Sequence, residues 1–197
     1  MWRWDNEKKR KKATAKNIKD YINSKYNKEA LLQKGSEIVL TKQKKNRSEY
    51  KKAKDRADEW FSRYIRLKYS FISGDGELYC KCFTCGNMKL TKEKRSGNIV
   101  VEPGIELGHW ITRENEQVRH HENNARPQCT KCNCYKNGRP DIFERNLRSE
   151  IGDDKVDKVK SISLISMPVN EFTLRERAKY YRILTHKLQN ELKVKYW

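Results

Sequence analysis

The sequence contains no apolar run that approaches the ~18 residues of a membrane span, and its N-terminus lacks the apolar core of a signal peptide. We therefore expect a cytoplasmic protein with no membrane partner. Apolar residues make up only 36% of the 197 residues, which is enough for one modest core but hardly for two. The sequence also lacks internal repeats and long Gly/Ser linkers. One small module with extensions is the expected organisation.

Acidic residues are scarce relative to basic ones. The chain has 26 Asp and Glu against 45 Lys and Arg, a formal charge of +19 that attracts a polyanion strongly. A merely solvated, lysine-rich surface is the alternative, but solubility alone does not need so large an excess of one sign. Residues 1–56 hold 19 basic and 7 acidic residues, a net charge of +12. We therefore expect DNA as the partner and a basic N-terminal arm that orders against it.

The cysteines are few but paired. In a reducing compartment this spacing favours metal binding over disulfides. Cys82-x2-Cys85 and Cys129-x2-Cys132 are separated by 43 residues and together supply the four thiolates of a closed zinc site. Gly86 permits the positive φ of a tight metal-binding turn. The pattern predicts structural Zn²⁺.

Two further cysteines fall outside this spacing. Cys80 and Cys134 are predicted to be spare, although Cys80 could replace Cys82 in a C-x4-C pair. Because four protein ligands leave no position for water, a closed site of this kind does not itself perform catalysis. Any chemistry must come from other residues.

Apolar spacing and turn signals give a coarse secondary structure. A helix is predicted over 57–71, hairpins within 77–135, a helix over 140–151, a short helix over 153–162 and a last helix capped by Thr173. We expect an α+β fold with three segments: a basic arm (1–56), a core with its leading helix (57–152) and a C-terminal helical extension (153–197).

The region between the cysteine pairs carries a resemblance. Its motifs are Glu106-x2-His109-Trp110, Asn124-x4-Cys129 and Cys132-Asn133-x2-Lys136. Together with the cysteine pairs they resemble the phage recombination nucleases of the NinG (Rap) family, over roughly 57–195. The wider pattern is similar to zinc-bound HNH nucleases of the endonuclease VII type. The resemblance implies a small ββα-metal (HNH, His-Me finger) core around the zinc, flanked by helices, in a phage or prophage protein of a bacterial host.

The resemblance also implies roles for single residues. His109 would be the general base, Glu106 and Asn133 would hold one Mg²⁺ or Mn²⁺, and Asn124 would hold the loop before the helix by backbone hydrogen bonds. This sequence departs from the family pattern in two ways: Asn133 stands where the HNH triad has a second His, and Glu106 replaces a shorter Asp.

The chemistry of phosphodiester hydrolysis agrees with these roles. The reaction needs a base to deprotonate water and a cation to neutralise charge developing on the phosphate. On an extended strand Glu106 and His109 point to opposite faces, so we expect a turn or bulge at Gly108 to bring them together.

Each assignment has a structural alternative. Glu106 could be a solvated charge, Asn133 a helix cap and Asn124 part of a turn. Arg119 and Lys136 are predicted to contact DNA phosphates, with ordinary exposed charge as the alternative. Three further candidate residues lie between the cysteine pairs, and for them packing or a surface position is the preferred interpretation: His120, His121 and Trp110.

The predicted function is cleavage of branched recombination intermediates, such as Holliday junctions and D-loops; the branched substrate comes from the resemblance alone. Two alternatives stay open: a less selective HNH nicking endonuclease, and a non-catalytic zinc DNA-binding recombination protein. The last is favoured if Glu106, His109 and Asn133 do not converge. Two opposed cuts suggest a homodimer, through the helix at 60–71 or the C-terminal helix.

Overall fold

The computed structural model describes residues 49–102 and 104–194 of the chain. The predicted arm therefore lies outside the described residues except for its last turns, 49–56, which are helical. The described residues from Tyr50 onward belong to one structural unit. Within the described part, the fold is a mixed α+β arrangement of small antiparallel sheets and helices, so the predicted class is confirmed at this level.

The first helix, α1, covers 49–68 of the described chain. Its buried side chains recur every four residues at Ala53, Ala57, Phe61 and Ile65, which places one apolar stripe against the core. The helix prediction over 57–71 was therefore too short at the start and too long at the end. The stripe begins with alanines inside a lysine-rich segment, and Phe71 belongs to a strand.

Seven short strands form three antiparallel sheets in the described residues. The first sheet has the order β1-β2-β3, the second pairs β4 with β5, and the third pairs β6 with β7. The region predicted as hairpins does form hairpins. The strands are β1 (Ser70–Ile72), β2 (Leu78–Lys81), β3 (Met88–Leu90), β4 (Lys94–Ser96), β5 (Ile99–Glu102), β6 (Ile105–His109) and β7 (Ala125–Cys129).

Four helices follow β7. The short α2 (Thr130–Asn133) starts directly after the strand, so β6, β7 and α2 follow one another as strand, strand and helix. The other three are α3 (Pro140–Ile151), α4 (Asp153–Ser163) and α5 (Glu171–Glu191). The predictions for α3 and α4 are confirmed within one residue. The last helix begins earlier than predicted, because the side chain of Asn170, not Thr173, caps it by accepting from the Thr173 N–H.

The core consists of several small clusters, as the low apolar content requires. The central one packs α1 against β7 and α5 through Phe61, Tyr64, Ile65, Ala125 and Tyr181. A second cluster joins Ile105 to buried cysteines, and a third lies between α3 and α4. In the described part of the chain, no helix combines the length and apolar character needed to cross a membrane. The β6–β7 hairpin thus sits between α1, α5 and the cysteines.

Candidate active site

The two C-x2-C pairs come together in the fold. The Sγ atoms of Cys82, Cys85, Cys129 and Cys132 all lie within 4.8 Å of one another, and those of Cys85 and Cys129 are 3.8 Å apart. Zn–S bonds of about 2.3 Å in a tetrahedron separate the sulfur atoms by about 3.8 Å. The four-cysteine cluster is therefore consistent with a structural Zn²⁺ site, as the spacing predicted.

Each pair is shaped as a metal-binding turn, which we call a knuckle. The first knuckle, 82–85, ends at Gly86, whose φ of +75° confirms the predicted left-handed conformation. The second knuckle, 129–132, spans the end of β7 and the start of α2. Burial alone would raise the pKa of the Cys82 thiol, but hydrogen bonds from the Thr84 hydroxyl and the Cys129 N–H lower it to about 6. A low pKa favours the thiolate that zinc binds.

The two cysteines outside the spacing have different surroundings. Cys80 is fully buried outside the four-cysteine cluster, and its Sγ donates to the Tyr69 carbonyl at 3.2 Å. Burial raises the pKa of the Cys80 thiol to about 12. Cys80 therefore does not replace Cys82 in the cluster. Cys134 is exposed, and its Sγ lies 3.2 Å from Glu106 Oε2.

Two of the predicted cation ligands are in direct contact. The Asn133 Nδ2 donates to Glu106 Oε2 at 2.7 Å, and the Thr130 hydroxyl donates to Glu106 Oε1 at 2.8 Å. These contacts form because the second knuckle starts α2 directly after β7, the strand paired with β6. The donor set of carboxylate, amide and hydroxyl oxygen is one that hard cations such as Mg²⁺ and Mn²⁺ accept. Glu106 and Asn133 could hold such a cation.

The side of β6 that carries Glu106 opens into a cavity of about 410 Å³, here called the Glu106 cavity. Arg66 and Lys92 bring positive charge to its wall. The Arg66 side chain also donates to the Ser62 carbonyl of its own helix. Besides Glu106 itself, the remaining wall residues are Ser62, Glu93, Gly104, Ile105, Leu107 and Thr130. A phosphate group would meet two cationic side chains beside Glu106.

His109 lies at the end of β6 and is half-buried. Burial lowers the pKa of its imidazole to about 4, so the ring is neutral at pH 7. Its Nε2 is 3.0 Å from the Arg119 carbonyl oxygen. A carbonyl can only accept, so Nε2 carries the proton and Nδ1 is left with its lone pair. The ring is held in the protonation state that a base requires.

His109 opens into a different cavity, of about 390 Å³, here called the His109 cavity. Three carboxylates of α1 line it, those of Asp55, Asp58 and Glu59, together with Arg113. The two cavities share Ser62 and Leu107 in their walls.

The prediction of a turn or bulge at Gly108 is wrong. Residues 105–109 pair with 125–129 one to one without a register shift, so Glu106 and His109 project from opposite faces of β6. Gly108 has another role: a Cβ atom there would lie 2.0 Å from the Oε1 of Gln128 on the neighbouring strand. The glycine makes room for a buried glutamine, and it does not bend the strand.

Asn124, the residue directly before β7, is fully buried at the end of a 3-10 turn over Glu122–Asn124 and closes the 110–124 connection between the two strands. Its Oδ1 accepts from the Ile111 N–H at 2.8 Å, and its Nδ2 donates to the carbonyls of Ile111 and Val118 at 2.9 and 3.0 Å. The Trp110 N–H donates to the Asn124 carbonyl at 2.9 Å. One amide thus fixes the path of the chain that follows His109.

The residues predicted to contact phosphate differ in their surroundings. Arg119 is mostly buried, and its guanidinium forms a two-point ion pair with Asp58. Lys136 is exposed in the turn after α2. DNA contact remains a prediction for both residues, and the ion pair gives Arg119 a structural role.

Two of the three residues predicted to have packing or surface positions, His120 and Trp110, pack against the rest of the fold. His120 is buried, its Nε2 lies 2.7 Å from Asp58 Oδ1, and Arg177 faces its Nδ1. Arg119 and His120 hold the pKa of Asp58 well below its usual range, although burial opposes this shift. Trp110 packs against the cluster between α3 and α4.

Three side chains around the site were not predicted. Thr130 donates to Glu106, Asp58 binds both Arg119 and His120, and Gln128 joins the hairpin to the turn after α2 by donating to the Gly138 carbonyl at 2.7 Å. Thr130 had a usable signal, because it is one turn before Asn133 on the same helix. Asp58 lies about fifty residues upstream of His109 in the sequence.

Comparisons with protein-family models, curated proteins and solved structures found no match for the chain. What the chain does must therefore be inferred from its own residues: a four-cysteine cluster, a carboxylate and amide in contact beside it, and a neutral histidine on the opposite face of the same strand.

Proposed function

We propose that the chain is a metal-dependent DNA endonuclease of the zinc-bound HNH type. The observation that carries the proposal is the contact between Glu106 and Asn133 directly beside the four-cysteine cluster. The order of β6, β7 and α2 supports the ββα-metal interpretation of the motifs. A structural zinc would fix the start of α2 and thereby hold Asn133 against the strand that carries Glu106.

In this proposal each side chain has one task. A bound Mg²⁺ or Mn²⁺ would supply a positive charge for the scissile phosphate. Glu106 and Asn133 hold the cation, while Arg66 and Lys92 attract the phosphate. His109 accepts the proton of the attacking water at Nδ1 and is oriented by the Arg119 carbonyl. Because the two cavities meet at Ser62 and Leu107, the reacting phosphate would lie at that boundary.

DNA is the proposed substrate because of the net charge of +19, most of which lies in residues 1–56. Branched recombination intermediates are proposed on the motif resemblance to the NinG (Rap) nucleases. The less selective nicking endonuclease differs from this proposal only in its choice of substrate.

A second candidate is a zinc-bound DNA-binding protein without catalysis. The observation that favours it is the position of His109, which projects from the face of β6 opposite to Glu106. A base that does not reach the metal-bound phosphate cannot activate water for attack on it.

A homodimer remains part of the proposal. The aromatic face of α1 packs inside the chain against β7 and α5, which favours the C-terminal helix over α1 as the proposed interface. On α5, Phe172, Tyr180 and Ile183 are exposed. They lie within one side of the helix, which leaves α5 as the proposed interface.

The test uses linear duplex, single-stranded and four-way-junction DNA of matched sequence, each with and without Mg²⁺. Cation-dependent cleavage of the junction alone supports the branched-DNA endonuclease. Equal cleavage of duplex and junction supports the nicking enzyme. Tight binding of all three DNAs with no cleavage, in either Mg²⁺ or Mn²⁺, would replace the endonuclease by the DNA-binding protein.

A further inference from the structure

The carboxylate of Glu106 is held at both oxygens from one short helix. Thr130 Oγ1 donates to Oε1 at 2.8 Å, and Asn133 Nδ2 donates to Oε2 at 2.7 Å. Thr130 is the first residue of α2 and lies between Cys129 and Cys132, the two cysteines of the second knuckle. The knuckle that would bind zinc therefore also supplies a hydroxyl to the carboxylate.

We propose that Thr130 is a positioning residue that fixes the Glu106 carboxylate for a divalent cation and so couples the second knuckle to the cation site. The inference rests on the proposed function in one respect: it takes Glu106 and Asn133 as the residues that hold the cation.

Without the Thr130 hydroxyl, the Glu106 carboxylate would be held at Oε2 alone, by Asn133 and Cys134, and Oε1 would lose its donor. A glutamate side chain has many rotamers, and fixing it costs conformational entropy. Thr130 is suited to fixing it, because a β-branched side chain has few χ1 rotamers and its hydroxyl direction is set by the backbone of α2. The Thr130 hydroxyl uses Oε1, so Oε2 is the oxygen turned toward Asn133.

Partners of this kind matter for metal affinity. A ligand carboxylate that is already oriented loses less conformational entropy when it binds the cation. Loss of such a hydrogen-bond partner costs about 10- to 100-fold in metal affinity or activity. In Thr130→Val the shape is kept and the hydroxyl is lost. In Thr130→Ser the hydroxyl is kept and the methyl group is lost.

The first knuckle offers a matched control. Thr84 lies between Cys82 and Cys85, and its Oγ1 is 3.4 Å from Cys82 Sγ and 3.3 Å from Gln128 Nε2. Its hydrogen bonds thus go to the cysteine cluster and to β7, whereas Glu106 takes its hydroxyl donor from Thr130. Thr84→Val therefore makes the same chemical change beside the same zinc cluster, away from the carboxylate.

The experiment measures Mn²⁺ binding to the zinc-loaded protein by the electron paramagnetic resonance signal of free Mn²⁺. Glu106→Gln identifies the fraction of binding that depends on Glu106. Zinc content and denaturant unfolding are recorded for each variant. The Mg²⁺ concentration that gives half-maximal cleavage of junction DNA is the second readout.

We expect Thr130→Val to weaken the Glu106-dependent Mn²⁺ binding by about 10- to 100-fold with zinc retained. Thr130→Ser should restore most of the affinity. Thr84→Val removes a hydrogen bond to Cys82 and none to Glu106, so it should weaken zinc binding, whereas Thr130→Val should weaken Mn²⁺ binding with zinc retained. Unchanged Mn²⁺ binding by Thr130→Val overturns the inference, and so does a wild-type chain with no Glu106-dependent Mn²⁺ binding. If the expected pattern of affinities is found in a chain that cleaves no DNA, the inference stands and the endonuclease proposal fails.

Discussion

The two cavities beside strand β6 share Ser62 and Leu107 but differ in charge. The Glu106 cavity has Arg66 and Lys92 in its wall against two carboxylates, whereas the His109 cavity has three carboxylates and one arginine, Arg113. The charges in the wall of the Glu106 cavity balance, whereas those of the His109 cavity leave two negative charges in excess. A DNA phosphate is therefore repelled by the His109 side more than by the Glu106 side. One regular strand presents the Glu106 carboxylate to the first cavity and the neutral His109 imidazole to the second.

The comparison shows what separates the two proposed functions. In an endonuclease the phosphate bound on the Glu106 side must come within reach of His109 at the shared wall. In a DNA-binding protein the Glu106 side alone would meet the backbone, and His109 would be a packed residue against Phe61, whose ring centroid is 6.2 Å from its own. Changes made on each side of β6 can distinguish these cases.

The largest expected effect comes from removing the zinc scaffold under the Glu106 cavity. Cys132→Ser should abolish zinc binding and folded structure, because structural zinc contributes on the order of 10 kcal/mol or more to folding. Metal analysis should find about one zinc in the unmodified chain. The control is Cys134→Ser, which changes a cysteine outside the cluster and should keep the metal. A zinc-free Cys132→Ser protein with undiminished thermal stability would refute a structural zinc.

The second prediction removes the base from the other side of the strand. His109→Ala should lower the rate of DNA cleavage by at least ~10²-fold, the usual effect of losing a positioned base, with little change in DNA affinity. His120 is unsuitable as a control, because it is buried against Asp58 and Arg177. His121 is partly exposed and serves instead. Cleavage at the wild-type rate by His109→Ala would make His109 a packing residue.

The third prediction concerns pH. The folded pKa of His109, about 4, lies below its ordinary value of 6.5 because the ring is buried. Between these values the unfolded chain binds a proton that the folded chain does not, so stability is full above pH 6.5 and falls as pH drops toward 4. One such proton gives a slope of about 1.4 kcal/mol per pH unit.

Burial also lowers the pKa values of His120 and His121, which adds to this acid sensitivity. Urea unfolding at pH 7 and pH 5 measures the loss, which should be smaller in His109→Ala than in the unmodified chain. An identical loss in both proteins would mean that the His109 ring is not buried in its neutral form.

The fourth prediction tests the strand that separates the cavities. Gly108→Ala places a methyl group against the buried amide of Gln128 and should cost about 1 to 3 kcal/mol, as overpacking does. The same change should cost much less in a Gln128→Ala background, where the space is open. A double-mutant cycle by denaturant unfolding measures the difference. Equal costs in both backgrounds would show that Gly108 is needed for a reason other than Gln128.

The sequence was most informative where local rules apply. The matched cysteine pairs predicted the four-thiol cluster, because zinc geometry restricts ligand spacing. Pro140 and Gly152 correctly bounded α3, since each residue has one strong positional preference at a helix end. The contact between Glu106 and Asn133 follows from the same pattern, because Asn133 comes directly after Cys132, a member of the four-cysteine cluster.

Long-range contacts were not predictable from the sequence. The pairing of Asp58 with Arg119 and His120 joins α1 to a loop about sixty residues away, and no local pattern marks it. Gln128 is fully buried, yet within the described residues its Oε1 has no hydrogen-bond partner. From the sequence alone, Gly108 suggested a bend in the strand, because nothing in the sequence places Gln128 beside it. Which partner fills the space beside Gly108 depends on strand register, which only the folded hairpin defines.

The smallest expected effect tests the charge difference between the cavities directly. Asp55 is exposed on α1 and lines the His109 cavity. Asp55→Asn removes one repulsive charge without changing the shape of the side chain, so DNA should bind a few-fold more tightly, on the scale of ~0.2 to 1 kcal/mol for an exposed charge. The gain should shrink at high salt, because exposed charges are screened. Fluorescence anisotropy with junction DNA at two salt concentrations measures this gain, and Arg66→Ala on the other side should change affinity in the opposite direction.

If the endonuclease proposal is right, Asp55→Asn also raises the cleavage rate at low DNA concentration, because the phosphate must approach the His109 cavity. If Asp55→Asn changes neither affinity nor cleavage while Arg66→Ala weakens both, DNA contacts the Glu106 side alone, and the role of His109 as a base is lost.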